Sequence, residues 1–161
     1  MHPNNVVNVS GGTKTQRQLA YKLVEHCIDE LLPRHRTLWI EVDLKKIPEK
    51  DKVVGYCQDD GENMFTIEID KTQNAYDFML TVAHEMVHVK QTVRRQLTER
   101  NLKHFWYGKE HSDRRNEPWE IEAWKLQKPL THSYIKQGKR TIRYIKSLTC
   151  LLYTSDAADE E

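Results

Sequence analysis

The run TVAHEMVHVKQ, residues 81–91, constrains this chain more than any other stretch. Within it His84 and His88 stand four residues apart, with Glu85 beside the first. On a helix, positions i and i+4 lie one turn apart on one face, so both imidazoles can point at a single ion. Glu85 is turned about 100° from His84, off the ligand direction but beside a coordination position left open. There a carboxylate can take a proton from water that a metal has acidified. Two imidazoles plus a carboxylate make zinc the natural ion, and this spacing supplies two ligands and a general base from one rigid element. The plainer alternative is an amphipathic helix that carries two histidines by accident. Against it, Val82, Ala83, Val87 and Val89 flank the motif. Imidazoles at the edge of such an apolar stripe cost desolvation unless they find a partner.

The surrounding pattern is that of one α+β domain. From Thr15 to Leu32, Leu19, Leu23, Val24, Cys27, Ile28 and Leu31 recur at three- and four-residue steps, which predicts a helix stopped by Pro33. TLWIEVDL then alternates, with Leu38, Ile40, Val42 and Leu44 on one side and Glu41 and Asp43 on the other: a half-buried strand. VVGYCQ and MFTIEI read as two more strands joined through the turn-forming DDGEN. Asn74 is a good cap for the next helix, expected to run to about Leu97 with Met79, Leu80, Val82, Ala83, Met86 and Val87 on its apolar side. Residues 98–117 read as a long polar loop. A last helix opens at NEPWEIEAW, with Pro118 at its first position, and is expected to end at Pro129. The expectation is a small, mainly antiparallel sheet packed on helices.

At 161 residues the chain has room for one core. A mean hydropathy of −0.79 requires that core to be compact under a charged surface. The net charge of +1 argues against a surface devoted to nucleic acid. No segment approaches the ~20 apolar residues of a membrane span. The start, MHPNNVVNVSGG, lacks the basic and apolar regions of a signal peptide, and residues 1–14 are expected to be a flexible arm. Three scattered cysteines, Cys27, Cys57 and Cys150, fit a reducing, cytoplasmic setting. The stretch CLLYTSDAADE resembles a translated transposon-end adapter from shotgun sequencing libraries. Residues 150–161 are therefore set aside, and the domain is expected over 15–149.

A catalytic zinc usually has three protein ligands. The arrangement HExxHxxGxxH fails, because positions 91 and 94 are Gln91 and Arg94. The remaining candidates are His104, His111, Asp113, Glu117, Glu120 and Glu122. Glu120 is favoured because Ala123, three residues on, shares its helical face and lets that helix come close. Glu122 is about 200° round from Glu120, so the two cannot both face the ion. Glu122 then reads as an acid behind the ligands or in solvent. His111 is the alternative ligand, and a first-turn acid complementing the helix dipole is the plainer reading of Glu120.

HEMVHVKQ followed by PWEIEAW resembles the zincin metallopeptidases of the gluzincin type, in which HExxH on one helix is completed by a glutamate on a following ExxA helix. In size the chain is similar to the short bacterial and phage versions, and its element order resembles that of SprT-like proteases. The resemblance spans roughly Leu38 to Trp124. It implies a zincin-like fold, Zn²⁺ held by His84, His88 and Glu120, Glu85 as general base, a protein or peptide substrate, and the cytoplasm (the host's, for a phage protein). SprT-like proteins usually complete the site with histidine, which would bring His111 forward, whereas EIEA favours glutamate. The resemblance also implies that MFTIEI is an edge strand that binds extended peptide by β-addition. Tyr107, His111 and Tyr134 are eligible oxyanion stabilisers, since such enzymes often use tyrosine or histidine there.

Residues 125–146 carry seven Lys or Arg and no acid, with His132, Tyr134 and Tyr144 interspersed. This is either a nucleic-acid-facing patch, as a SprT-like DNA-associated protease would need, or a solvated basic face; the second is the expectation. Rival functions are a non-catalytic zinc-stabilised binding module and a metal-free helical adaptor. Glu85 separates the first rival from an enzyme, because a purely structural site has no need of a carboxylate beside an open position.

Overall fold

The computed structural model describes residues 1–138. The expectations for Cys150, for the 150–161 tail and for the basic segment past residue 138 lie outside the described residues.

Helix α1, Lys14–Leu31, begins with a capping box. The Thr13 hydroxyl accepts from the Gln16 amide at 3.1 Å, and the Gln16 side chain accepts from the Thr13 amide at 2.9 Å. Leu19, Leu23, Val24, Cys27 and Ile28 form its buried stripe, and Pro33 follows the C-cap Leu32. Strands β1 (Val6–Gly11), β2 (Trp39–Lys45), β3 (Gly55–Gly61) and β4 (Met64–Asp70) make a four-stranded sheet in the order β1-β2-β4-β3. Ile40, Val42 and Leu44 of β2 and Phe65, Ile67 and Ile69 of β4 are buried on the same side, under α1 and α2 (Ala75–Val93). Their alternate neighbours, among them Trp39 and Glu41, face solvent. Helix α3, Pro118–Gly138, packs against α2 and touches α1.

Several expectations are corrected. The sheet is mixed: β1–β2 and β2–β4 are parallel, and only β3–β4 is antiparallel. The cause lies in composition. GYCQDDG offers little to bury and takes the outside, while the fully buried alternation of β4 takes the place beside β2. MFTIEI is therefore an interior strand, paired on both sides, and the sheet edge next to it belongs to β3. The β3–β4 turn sits at Glu62–Asn63, both with positive φ, as a two-residue hairpin of this twist requires. The arm expected over 1–14 contains β1, which hydrogen-bonds along β2 and buries Val7.

The loop expected over 98–117 is mostly a three-stranded antiparallel sheet: β5 (Leu97–Arg100), β6 (Lys103–Trp106) and β7 (Lys109–His111). Its turns at Asn101–Leu102 and Tyr107–Gly108 again run through positive φ. Helix α2 ends at Val93, not near Leu97, and Arg95 at φ 57° redirects the chain. Pro129 does not end α3. It lies on the solvent side with Lys125, where the carbonyl it leaves unpaired meets water, while Leu130, Thr131, Tyr134 and Ile135 anchor the following turns in the core. Among the described residues no helix is long and apolar enough to cross a membrane.

Candidate metal centre

Asn74 caps α2 by accepting from the Asp77 amide at 2.8 Å, which fixes the start of the helix two and a half turns before His84. Met79, Val82, Ala83, Met86 and Val87 are fully buried against the sheet and the neighbouring helices. This orients the helix so that Asp77, Leu80, Thr81, His84, Glu85 and His88 line a cleft of about 720 Å³. Strand β3 forms one lip through Gly55, Tyr56 and Cys57, and α3 forms the other through Glu120, Trp124 and Gln127.

Glu120 reaches across from α3 with both carboxylate oxygens. One lies 3.0 Å from His84 Nε2 and the other 3.1 Å from His88 Nε2. Ala123, fully buried, is the small residue that lets the two helices approach. His84, His88 and Glu120 are, among the described residues, the group of histidine, cysteine and acid side chains that could hold a metal ion. The histidine hydrogen bonds hold the Glu120 carboxyl well below the usual carboxylate range. Burial works to lower the His88 pKa, but the hydrogen bond the ring donates to Glu120 and the charges of Glu120 and Glu85 outweigh it and raise it. The donor set is thus a carboxylate facing two imidazoles, a cluster whose charge suits a cation.

Behind each imidazole stands an amide. The Gln127 side-chain oxygen is 3.0 Å from His84 Nδ1, and that of Gln91 is 2.9 Å from His88 Nδ1. An amide oxygen can only accept, so each ring donates from Nδ1 and turns Nε2 toward Glu120. Neither glutamine was singled out from sequence. The available signal was positional: Gln91 is three residues past His88 on the same face, and Gln127 is two turns past Glu120 on the same face.

Glu85 is only 6% exposed, with its carboxylate at the cleft floor. Burial raises its pKa; His88 and His84 oppose that, and the Glu120 charge adds to it. Gly55 has an ordinary strand backbone, yet a Cβ there would sit 2.7 Å from Thr81 Cγ2 and 2.8 Å from a Glu85 oxygen. Only glycine lets the edge strand come this close to the acid. The Asp70 amide donates to the Val54 carbonyl opposite it, so the residues paired in the alternate positions, Gly55 and Cys57, turn their peptide groups to the open edge. Trp124 stands edge-on to His84, ring centres 5.3 Å apart, and is 65% exposed at the rim.

The other candidates lie elsewhere. Glu122 accepts from Lys90 and Gln91, behind His88. His111 donates through Nε2 to the Asp113 carbonyl, 2.7 Å away, and its ring stands against Trp119. His104, Asp113 and Glu117 line a separate hollow with it. Tyr107 projects from the β6–β7 turn and Tyr134 is buried against the His26 ring; neither lines the cleft, whereas Tyr56 does. Lys125, Lys128 and Lys136 are exposed on α3. Comparison with family models, with curated proteins and with solved structures returns no match for this chain.

Proposed function

We propose that this chain is a zinc-dependent peptidase of the zincin type, with His84, His88 and Glu120 as metal ligands and Glu85 as general base. The observation that carries the reading is Glu120 closing on both Nε2 atoms from a second helix, on the floor of an open cleft that also holds Glu85. The fit to zinc is chemical and metric. Donors about 2.0–2.1 Å from a tetrahedral zinc are roughly 3.3 Å apart, close to the 3.0 and 3.1 Å separations here. Two Nδ1-anchored imidazoles and one carboxylate make a three-ligand set of the catalytic kind.

When bound, zinc supplies a Lewis acid that polarises a carbonyl and acidifies water. The protein's own groups do the rest. Glu85 takes the proton from the attacking water and hands it to the leaving amine. The outward peptide groups of Gly55 and Cys57 on β3 offer ladder partners to an extended peptide, which accounts for an open edge strand beside the acid. Leu80 on the floor and Trp124 on the rim give an apolar surface to a neighbouring side chain. Tyr56 is the cleft residue suited to donate a hydrogen bond to a developing oxyanion.

The test is Glu85→Gln. It should keep one equivalent of zinc by elemental analysis while casein hydrolysis falls by about 10²–10⁴-fold. A Glu85→Gln protein that cleaves as fast as its parent would end the assignment.

A further inference from the structure

The ion pair of Lys90 and Glu122 is part-buried beside the site and lies outside the cleft lining. Lys90 is 8% exposed, and its ammonium sits 2.5 Å from Glu122 Oε1 and 2.9 Å from Gln96 Oε1. The same Glu122 oxygen accepts from Gln91 Nε2 at 3.1 Å, and the Trp119 carbonyl accepts from that nitrogen at 2.9 Å. We propose that Lys90 and Glu122 are positioning residues for the metal centre: with the Trp119 carbonyl they orient the Gln91 amide, which in turn fixes His88 with its hydrogen on Nδ1 and Nε2 free for the ion.

A primary amide has one acceptor end and one donor end, nearly identical in shape, so packing alone does not choose between them. Gln91 is fully buried, and no solvent reaches it to satisfy the wrong choice. Turned over, its oxygen would face a carbonyl and a carboxylate, two acceptors against an acceptor, and its nitrogen would face His88 Nδ1. As found, every group is paired donor to acceptor. The donors then run from the imidazole through Gln91 to Glu122, where the Lys90 ammonium donates from the other side. Glu122 supplies the acceptor, and the Lys90 ammonium on the same oxygen holds it in place. This gives a role to an acid that sits two residues from Glu120 on a different face of α3, and to a lysine buried in the last turns of α2.

The inference rests on the metal reading of His84, His88 and Glu120 but not on peptide hydrolysis, so its readouts are zinc affinity and the ring state of His88. The decisive variant is the exchange Lys90→Glu with Glu122→Lys, which keeps an ion pair while presenting a donor to Gln91 Nε2. Zinc affinity, measured by competition with a chelator, should drop about 10–100-fold. In the metal-free Glu120→Ala background at alkaline pH, where the ring is neutral and no carboxylate faces Nε2, the ¹⁵N imidazole spectrum should show the His88 hydrogen on Nδ1 and show it leaving Nδ1 on the exchange. Glu122→Gln, which retains an acceptor, should stay within about threefold of the parent affinity and keep the Nδ1 hydrogen. If the exchanged pair does not fold, Gln91→Leu carries the test, with the same expected loss of affinity and of the Nδ1 hydrogen. An exchanged or Gln91→Leu protein with parental zinc affinity and an Nδ1-protonated His88 overturns the proposal. A parent that binds no zinc but keeps the Nδ1 hydrogen, lost on exchange, would remove the metal reading and leave the orientation mechanism standing.

Discussion

Two histidine pairs in this molecule invite comparison. His84 and His88 lie one helical turn apart; His104 and His111 lie directly opposite each other on β6 and β7. Both pairs are near a tryptophan and near acids. Yet only the helical pair converges on a carboxylate, and only there is each Nδ1 taken up by an amide so that Nε2 is left to point inward. The sheet pair flanks the Trp119 ring instead; His111 uses Nε2 on a main-chain carbonyl, and Glu99 stands 3.8 Å from His104 in solvent. The lesson is that proximity of ligand-type side chains is common, while a site needs their second nitrogens fixed by groups that cannot move.

The comparison can be broken most directly by alanine. His84→Ala and Glu120→Ala should each lose the bound zinc and all measurable hydrolysis, whereas His104→Ala and His111→Ala should retain one equivalent by elemental analysis. Zinc lost only from the His111 variant would transfer the site to the sheet. Next in size is Gly55→Ala. The new methyl would displace the Glu85 carboxylate, and a base misplaced by about 1 Å costs on the order of 10²-fold in kcat. Zinc content and Tm should stay near the parent's, and Thr81→Ala in the same chain should restore part of the rate by opening space. An unchanged kcat would mean that the close approach of β3 has no bearing on the acid.

The smallest effect concerns a third imidazole, buried and unlike either pair. His26 accepts or donates at Ser133 Oγ, 2.7 Å away, with burial lowering its pKa from 6.5 against the opposing charges of Glu30 and Asp29. Because the folded value is depressed, the unfolded chain protonates first. The stability His26 supports is therefore full above about pH 6.5 and declines as pH falls below it toward the folded value. His26→Gln should flatten that part of the Tm-against-pH curve, and an unaltered slope would show that His26 titrates alike in both states.

Much of this arrangement was legible in the sequence, and the reasons differ by element. The stripe Leu19–Leu23–Cys27, the alternation of TLWIEVDL and the Asn74 cap are local patterns that the core simply accepts. Glu120 was legible because Ala123 marks a close helix approach. Strand β1 was not, since its VVNV pattern among glycines and asparagines becomes a strand only when β2 is present to pair with it. The β5–β7 sheet was not legible, because its strands are short and polar and its turns place Leu102 and Tyr107, beside Asn101 and Gly108, at a positive φ that such side chains rarely adopt. Pro129 misled because the rule that proline stops a helix is local, whereas the anchoring of Tyr134 and Ile135 is tertiary. The two glutamines were invisible as function: a buried amide has meaning only once its partners are known.

The placement of β1 also bears on how the protein can be handled. Residues ahead of the first helix are commonly trimmed when a domain is prepared for expression. Here they cap the outer row of peptide groups along Trp39–Lys45. Removing them would leave a bare parallel template on a sheet already carrying the half-exposed Trp39, and a second molecule could zip onto it. A truncated sample is accordingly expected to self-associate with concentration in light scattering, although no residue of β1 lines the cleft of His84, His88 and Glu120.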